Sequence, residues 1–84
     1  MNETRVAVIS ILIEMPDSAE RVNGLLHEYS EYIIGRMGLP YREKAINVIC
    51  VVLDAPQTAT SALSGKLGRL PGVSTKTAYT KASE

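Results

Sequence analysis

Two runs of the chain, Arg5-Val-Ala-Val-Ile-Ser-Ile-Leu-Ile-Glu14 and Ala45-Ile-Asn-Val-Ile-Cys-Val-Val-Leu-Asp54, are apolar on both of their alternating faces. In a strand, successive side chains point to opposite sides of the sheet, so a half-solvated strand alternates apolar with polar. Val6, Val8 and Leu12 share one side of the first run, and Ala7, Ile9, Ile11 and Ile13 share the other. In the second run Ile46, Val48 and Val52 oppose Ile49, Val51 and Leu53. Both sides of these strands therefore call for cover. A chain of 84 residues carries enough helix for one side only, so a second copy is the most economical cover for the other.

The segments between the runs complete a pattern. After Met15-Pro16, Asp17 and Glu20 have the spacing of a capping box. Val22, Leu25, Leu26 and Tyr29 then form the stripe of an amphipathic helix over about 18–30, with His27, Glu28 and Glu31 outside it. Tyr32–Gly38, with two glycines and an arginine, reads as a short edge strand. Leu39–Lys44 reads as the turn into the second apolar run. Thr58 is the expected N-cap of a second helix, whose inner face is Ala59, Ala62, Leu63, Leu67 and Leu70. Gly65 and Gly68 weaken that helix by roughly 1 kcal/mol each, and Pro71-Gly72 ends it. Val73–Lys81 alternates and is rich in threonine, as a half-exposed edge strand should be.

The order is β-α-β-β-α-β, a split pair of βαβ units. It predicts an α+β, ferredoxin-like fold spanning residues 1–84 as one domain. The doubly apolar runs take the centre of a four-stranded antiparallel sheet and the more polar strands its edges. Right-handed crossovers put both helices on one face. The other face is left apolar and open, as at an interface, and predicts a dimer or tetramer.

Composition excludes several functions. Nine basic and nine acidic side chains cancel, with no basic stripe to neutralise phosphates, so direct nucleic-acid binding is not expected. The single Cys50 offers no disulfide framework and reads as a small buried hydrophobe in a reducing compartment. The opening Met-Asn-Glu-Thr-Arg lacks the order of a signal peptide, and the apolar runs are too short to span a bilayer. A cytoplasmic domain without membrane attachment is expected.

Candidate chemistry is sparse. One histidine and one cysteine cannot assemble a zinc-type ligand set within one chain, and no CxxC is present. No catalytic residue, metal or cofactor is expected. The densest cluster of glycine, cation and aromatic residues is Gly35–Lys44, where Arg36 and Arg42 suit bidentate anion binding and Tyr41 serves as wall or donor. The alternative there is a hairpin with solvated charges. In Leu63-Ser-Gly-Lys-Leu-Gly-Arg69, Gly65 and Lys66 suggest a phosphate cradle, although the full P-loop spacing is missing. The competing reading is that Gly65 and Gly68 permit close packing against the sheet or a neighbouring subunit, with Lys66 and Arg69 solvated. The candidate ligand-binding residues are thus Arg36, Tyr41, Arg42, Gly65 and Lys66.

The stretches Gly35-Arg-Met-Gly-Leu-Pro-Tyr-Arg-Glu43, Asn47-Val-Ile-Cys-Val-Val-Leu-Asp54 and Ala62-Leu-Ser-Gly-Lys-Leu-Gly-Arg-Leu-Pro-Gly-Val-Ser-Thr-Lys-Thr77 resemble the iron-only hydrogenase system regulators. The resemblance runs from Arg5 to Lys81. It implies an ACT-like fold related to the C-terminal domain of nickel-responsive repressors, and a non-enzymatic regulatory role. It also implies a small effector bound at a subunit interface, and because no output domain is expected in the chain, output through a protein partner is expected. The nickel regulators' strand histidines have no counterpart here, and no ribbon-helix-helix segment is expected ahead of Arg5. The rival expectation is a small enzyme or maturation factor acting on an acyl phosphate-like anion. The glycine-rich, arginine-bearing loop of ferredoxin-like acyl phosphate hydrolases is replaced here by Met15-Pro16-Asp17.

Overall fold

The computed structural model describes residues 3–81. Strands β1 (Arg5–Ile13), β2 (Ile33–Tyr41), β3 (Ile46–Ala55) and β4 (Val73–Tyr79) form one antiparallel sheet in the order β2-β3-β1-β4. Helix α1 (Ala19–Glu28) joins β1 to β2, and α2 (Gln57–Gly68) joins β3 to β4. This is the expected ferredoxin-like α+β arrangement. The two doubly apolar runs are central and the other two strands are edges.

Residue parity decides which side the helices cover. Ala7, Ile9, Ile11 and Ile13 of β1, with Ile49, Val51, Leu53 and Ala55 of β3, are buried together with Val22 and Leu26 of α1 and Leu63 and Leu67 of α2. Burying such a side chain fully is worth roughly 1.5–3 kcal/mol, so this layer holds the fold. Val22, Leu25, Leu26 and Tyr29 all pack on it, as their spacing predicts.

Several local expectations are corrected. The Asp17/Glu20 capping box does not form. Asp17 lies in a 3-10 turn over Pro16–Ser18, and Ser18, the residue before α1, makes no side-chain cap bond. Its Oγ donates instead to Pro71 O at 2.6 Å, and Glu14 N donates to Gly72 O at 2.7 Å. These two bonds pin the β1–α1 junction to the α2–β4 turn. Gly72 makes that possible at φ +69°, where an added Cβ would lie 2.5 Å from Met15 Cγ.

Thr58 is not the cap of α2. The helix begins at Gln57, and the Pro56 carbonyl accepts from Ala59 N at 2.9 Å and Thr60 N at 3.2 Å. On the inner face of α2, Thr60 is buried beside Leu63 and Leu67, whereas Ala62, expected there, is exposed. Strand β2 also runs further than expected, because Leu39, Pro40 and Tyr41 pair with Val48, Asn47 and Ile46. An edge strand has one free flank, so a proline fits there without breaking a ladder. A 3-10 turn over Arg42–Lys44 and Ala45 in the left-handed region (φ 55°) close the β2–β3 connection.

Candidate functional site

The helix-free face of the sheet is built by strand alternation. Pairing places Leu39, Val48, Leu12 and Ser74 in one cross-strand row. Met37, Cys50, Ser10 and Lys76 form the next row, and Gly35, Val52, Val8 and Ala78 the third. Tyr41 and Ile46 extend it at one corner. Met37, Leu39, Tyr41 and Leu12 are 58, 59, 48 and 45% exposed, values that mark an uncovered apolar surface. The surface is apolar on β2, β3 and β1 and turns polar on β4. Cys50 lies half-buried on this face and not in the core expected for it, because its parity matches Val48 and Val52.

The five candidate residues do not converge on one site. Arg36 pairs with Val51 and so shares the helix-covered side of the sheet, where its Nη2 donates to Asn23 Oδ1 of α1. Tyr41 pairs with Ile46 on the opposite side, and its phenol donates to Glu43 Oε1 at 2.6 Å. That bond, ahead of desolvation, raises the Tyr41 pKa above its ordinary value. Arg42 stands in the turn that follows, and with Tyr41, Pro40 and Pro16 it lines a hollow of about 130 Å³.

Gly65 and Lys66 lie on α2, away from β2. Lys66 Nζ sits 5.2 Å from the Tyr29 ring centroid at the end of α1. Hydrogen bonding to the Tyr29 phenol is the largest of the influences that raise the Lys66 pKa. An added Cβ at Gly65 would meet only the Arg69 guanidinium at 4.0 Å, and one at Gly68 only Thr75 Oγ1 at 3.7 Å. Among the described residues neither glycine is forced by a close approach within the chain, so no close packing is seen there inside one copy. Lys66 and Arg69 are both exposed.

One groove gathers more than the sequence indicated. It lies between α1 and the β2–β3 edge, has a volume of about 290 Å³, and its lining includes Ile13, Ile49, Gly38 and Pro40. Its polar groups are Arg36, Asn23 and Asn47. Asn23 is held by a bond from its Nδ2 to Ala19 O at 3.1 Å, which aims its Oδ1 at Arg36. Asn47 pairs with both Ile13 and Pro40, which sets it on the groove side of β3. The two asparagines were missed because an amide between apolar neighbours carries no motif. Among the described residues no three His, Cys, Asp or Glu side chains are placed to hold a metal ion. No helix there is long and apolar enough to cross a membrane.

Comparison with known proteins adds to this geometry. The TM1266-like family model, described as "Iron-only hydrogenase system regulator, putative", matches residues 5–77. The structure of uncharacterized protein TM1266 from Thermotoga maritima superposes with a TM-score of 0.90 at 39% identity, over 94% of this chain and 100% of that one. Among curated proteins nothing matches.

Proposed function

As the chain belongs to the TM1266-like family of iron-only hydrogenase system regulators, we propose that it is a non-enzymatic regulatory module that assembles through its open sheet face. Two copies pack face to face, a small effector biases that assembly, and output passes through a protein partner. The observation that carries this reading is the uncovered apolar surface of β2, β3 and β1, with Leu12, Met37, Leu39 and Tyr41 each about half exposed or more.

A second copy is the occupant that fits best. Four strands at about 4.8 Å spacing and nine residues at about 3.3 Å rise give a face of roughly 19 by 30 Å. A face-to-face pair then removes on the order of 1,100 Å² from water, above the floor of about 1,000 Å² for a specific interface. The apolar area runs from edge strand β2 to β1 and is bounded by Lys76 and Ser74 on β4, a polar rim along that side. Sedimentation velocity across a concentration series tests the proposal. A dimer or tetramer is expected at micromolar concentration, and a monomer at all concentrations refutes it. Protection of Cys50 from a bulky maleimide in the assembled form places the contact on this face; full reactivity places it elsewhere.

A further inference from the structure

We infer that the groove between α1 and β2 binds a small aliphatic monocarboxylate, with Arg36 as the partner of its anionic group. The groove exists because the residues that follow Arg36 on the same side of β2 are Gly38 and Pro40, which project little toward α1. An open trough of about 290 Å³ remains over Ile13 and Ile49. Its floor is apolar and its polar groups stand at the wall, the composition of a small-molecule site.

The charge pattern selects the ligand. The only side-chain hydrogen bond of Arg36 among the described residues goes to the neutral Asn23, which fixes the guanidinium and uses one of its five donors. Among the described residues no acidic side chain lines the groove, so the cation meets no competing carboxylate from them there. A ligand carboxylate accepts bidentately from the remaining fork, and the Asn47 amide offers a further donor at the opposite wall. The same lining disfavours a zwitterion, since an ammonium group finds amide oxygens but no anion. Phosphate and sulfate are disfavoured too, because a single guanidinium faces an otherwise apolar floor.

The groove and the open sheet face share β2. Arg36, Gly38 and Pro40 look toward α1, while Met37, Leu39 and Tyr41 alternate with them on the other side. An occupant that fixes the first set thereby orders the second. That the occupant acts as an effector rests on the regulatory reading above; the binding itself does not.

The test is an NMR amide-shift titration of the full chain with sodium butyrate, with butyramide and the zwitterion 2-aminobutyrate as matched probes. A ligand of six heavy atoms predicts a Kd on the order of 1–10 mM. Saturable shifts are expected at Asn23, Arg36, Gly38 and Asn47, with both matched probes at least about tenfold weaker. Arg36→Gln should weaken butyrate about tenfold or more. Gly38→Val should abolish binding by filling the trough, and the fold has room for it because the nearest atom to an added Cβ is Ile49 Cγ1 at 4.0 Å. Absent or scattered shifts overturn the proposal, as does equal binding of butyramide, tighter binding of 2-aminobutyrate, or a well-dispersed Gly38→Val protein with parental affinity. Sedimentation of the same samples separates the two readings. An assembled protein that ignores butyrate refutes the groove alone, and a monomer that binds it refutes the face alone.

Discussion

Replacing Leu12 by lysine should dissolve the assembly while leaving the individual fold intact. Leu12 stands on central strand β1 between Val48 and Ser74, with its side chain on the helix-free side and 45% exposed. In a lone copy the lysine stem can lie along the neighbouring apolar groups with its ammonium in water, so the cost there is small. In a face-to-face pair the same position is covered. Loss of the remaining leucine burial costs about 1 kcal/mol per copy. Desolvating an unpaired ammonium adds several kcal/mol more in principle, less what snorkelling recovers. A total of at least about 4 kcal/mol per dimer corresponds to about a thousandfold weaker association. Sedimentation velocity reads that directly, and thermal unfolding of the dilute monomer checks the fold. His27→Lys, on the exposed side of α1, adds a similar charge and should change nothing. Parental assembly of Leu12→Lys, or disruption by His27→Lys, would refute the assignment of the face.

Other consequences follow from single contacts. Thr60 Oγ1 is buried with no hydrogen-bond partner among the described residues, so Thr60→Val should stabilise by about 1 kcal/mol and raise Tm by roughly 4–8 °C; a lower Tm would show that the hydroxyl has a partner. Gly72→Ala should cost about 2 kcal/mol from positive φ and contact with Met15, and urea unfolding within 0.5 kcal/mol of the parent, roughly the size of a neutral surface change, would contradict the rigid turn. Because the bond to Glu43 is the main influence holding the Tyr41 phenol protonated, Glu43→Gln should lower its pKa in an ultraviolet titration, and no change would remove Glu43 as the cause. Amide hydrogen exchange should be faster in β2 than in β1 or β3, with assembly slowing it; uniform protection in the dilute protein would contradict this.

Strand parity made the architecture legible. The apolar runs 5–14 and 45–54 announced two central strands with two faces to cover, and the stripe at Val22, Leu25, Leu26 and Tyr29 announced the helix against one of them. Local chemistry misled where tertiary context decides. Pro40 reads as a turn until β2 is known to be an edge, and Asp17 reads as a cap until Ser18 bonds across to Pro71. Gly65 and Gly68 suggested close packing against the sheet, but among the described residues of one copy an added Cβ at either meets nothing closer than 3.7 Å. The groove was recoverable in part. Asn47 is the one polar side chain on the core-side parity of its run, and Arg36, Gly38 and Pro40 share the corresponding parity of β2. Asn23 was not recoverable, because only the packing of α1 beside β2 brings it to Arg36.

The burial pattern of β2 explains why one strand carries both candidate surfaces. β1 and β3 alternate buried with half-buried or exposed residues, whereas every residue of β2 after Ile33 is exposed. β2 is joined to the sheet by backbone pairing with β3 and supplies no residue to the buried core. Its register shifts between Ile33 and Gly35, and it contains two glycines and a proline, all of which lower the cost of local opening. An element with little core burial contributes little to global stability, so its side chains are free to be chosen for recognition. A ligand on its α1 side and a partner on its open side would order the same backbone, so the proposals together predict that each reduces the entropy cost met by the other, a positive coupling without a second global conformation.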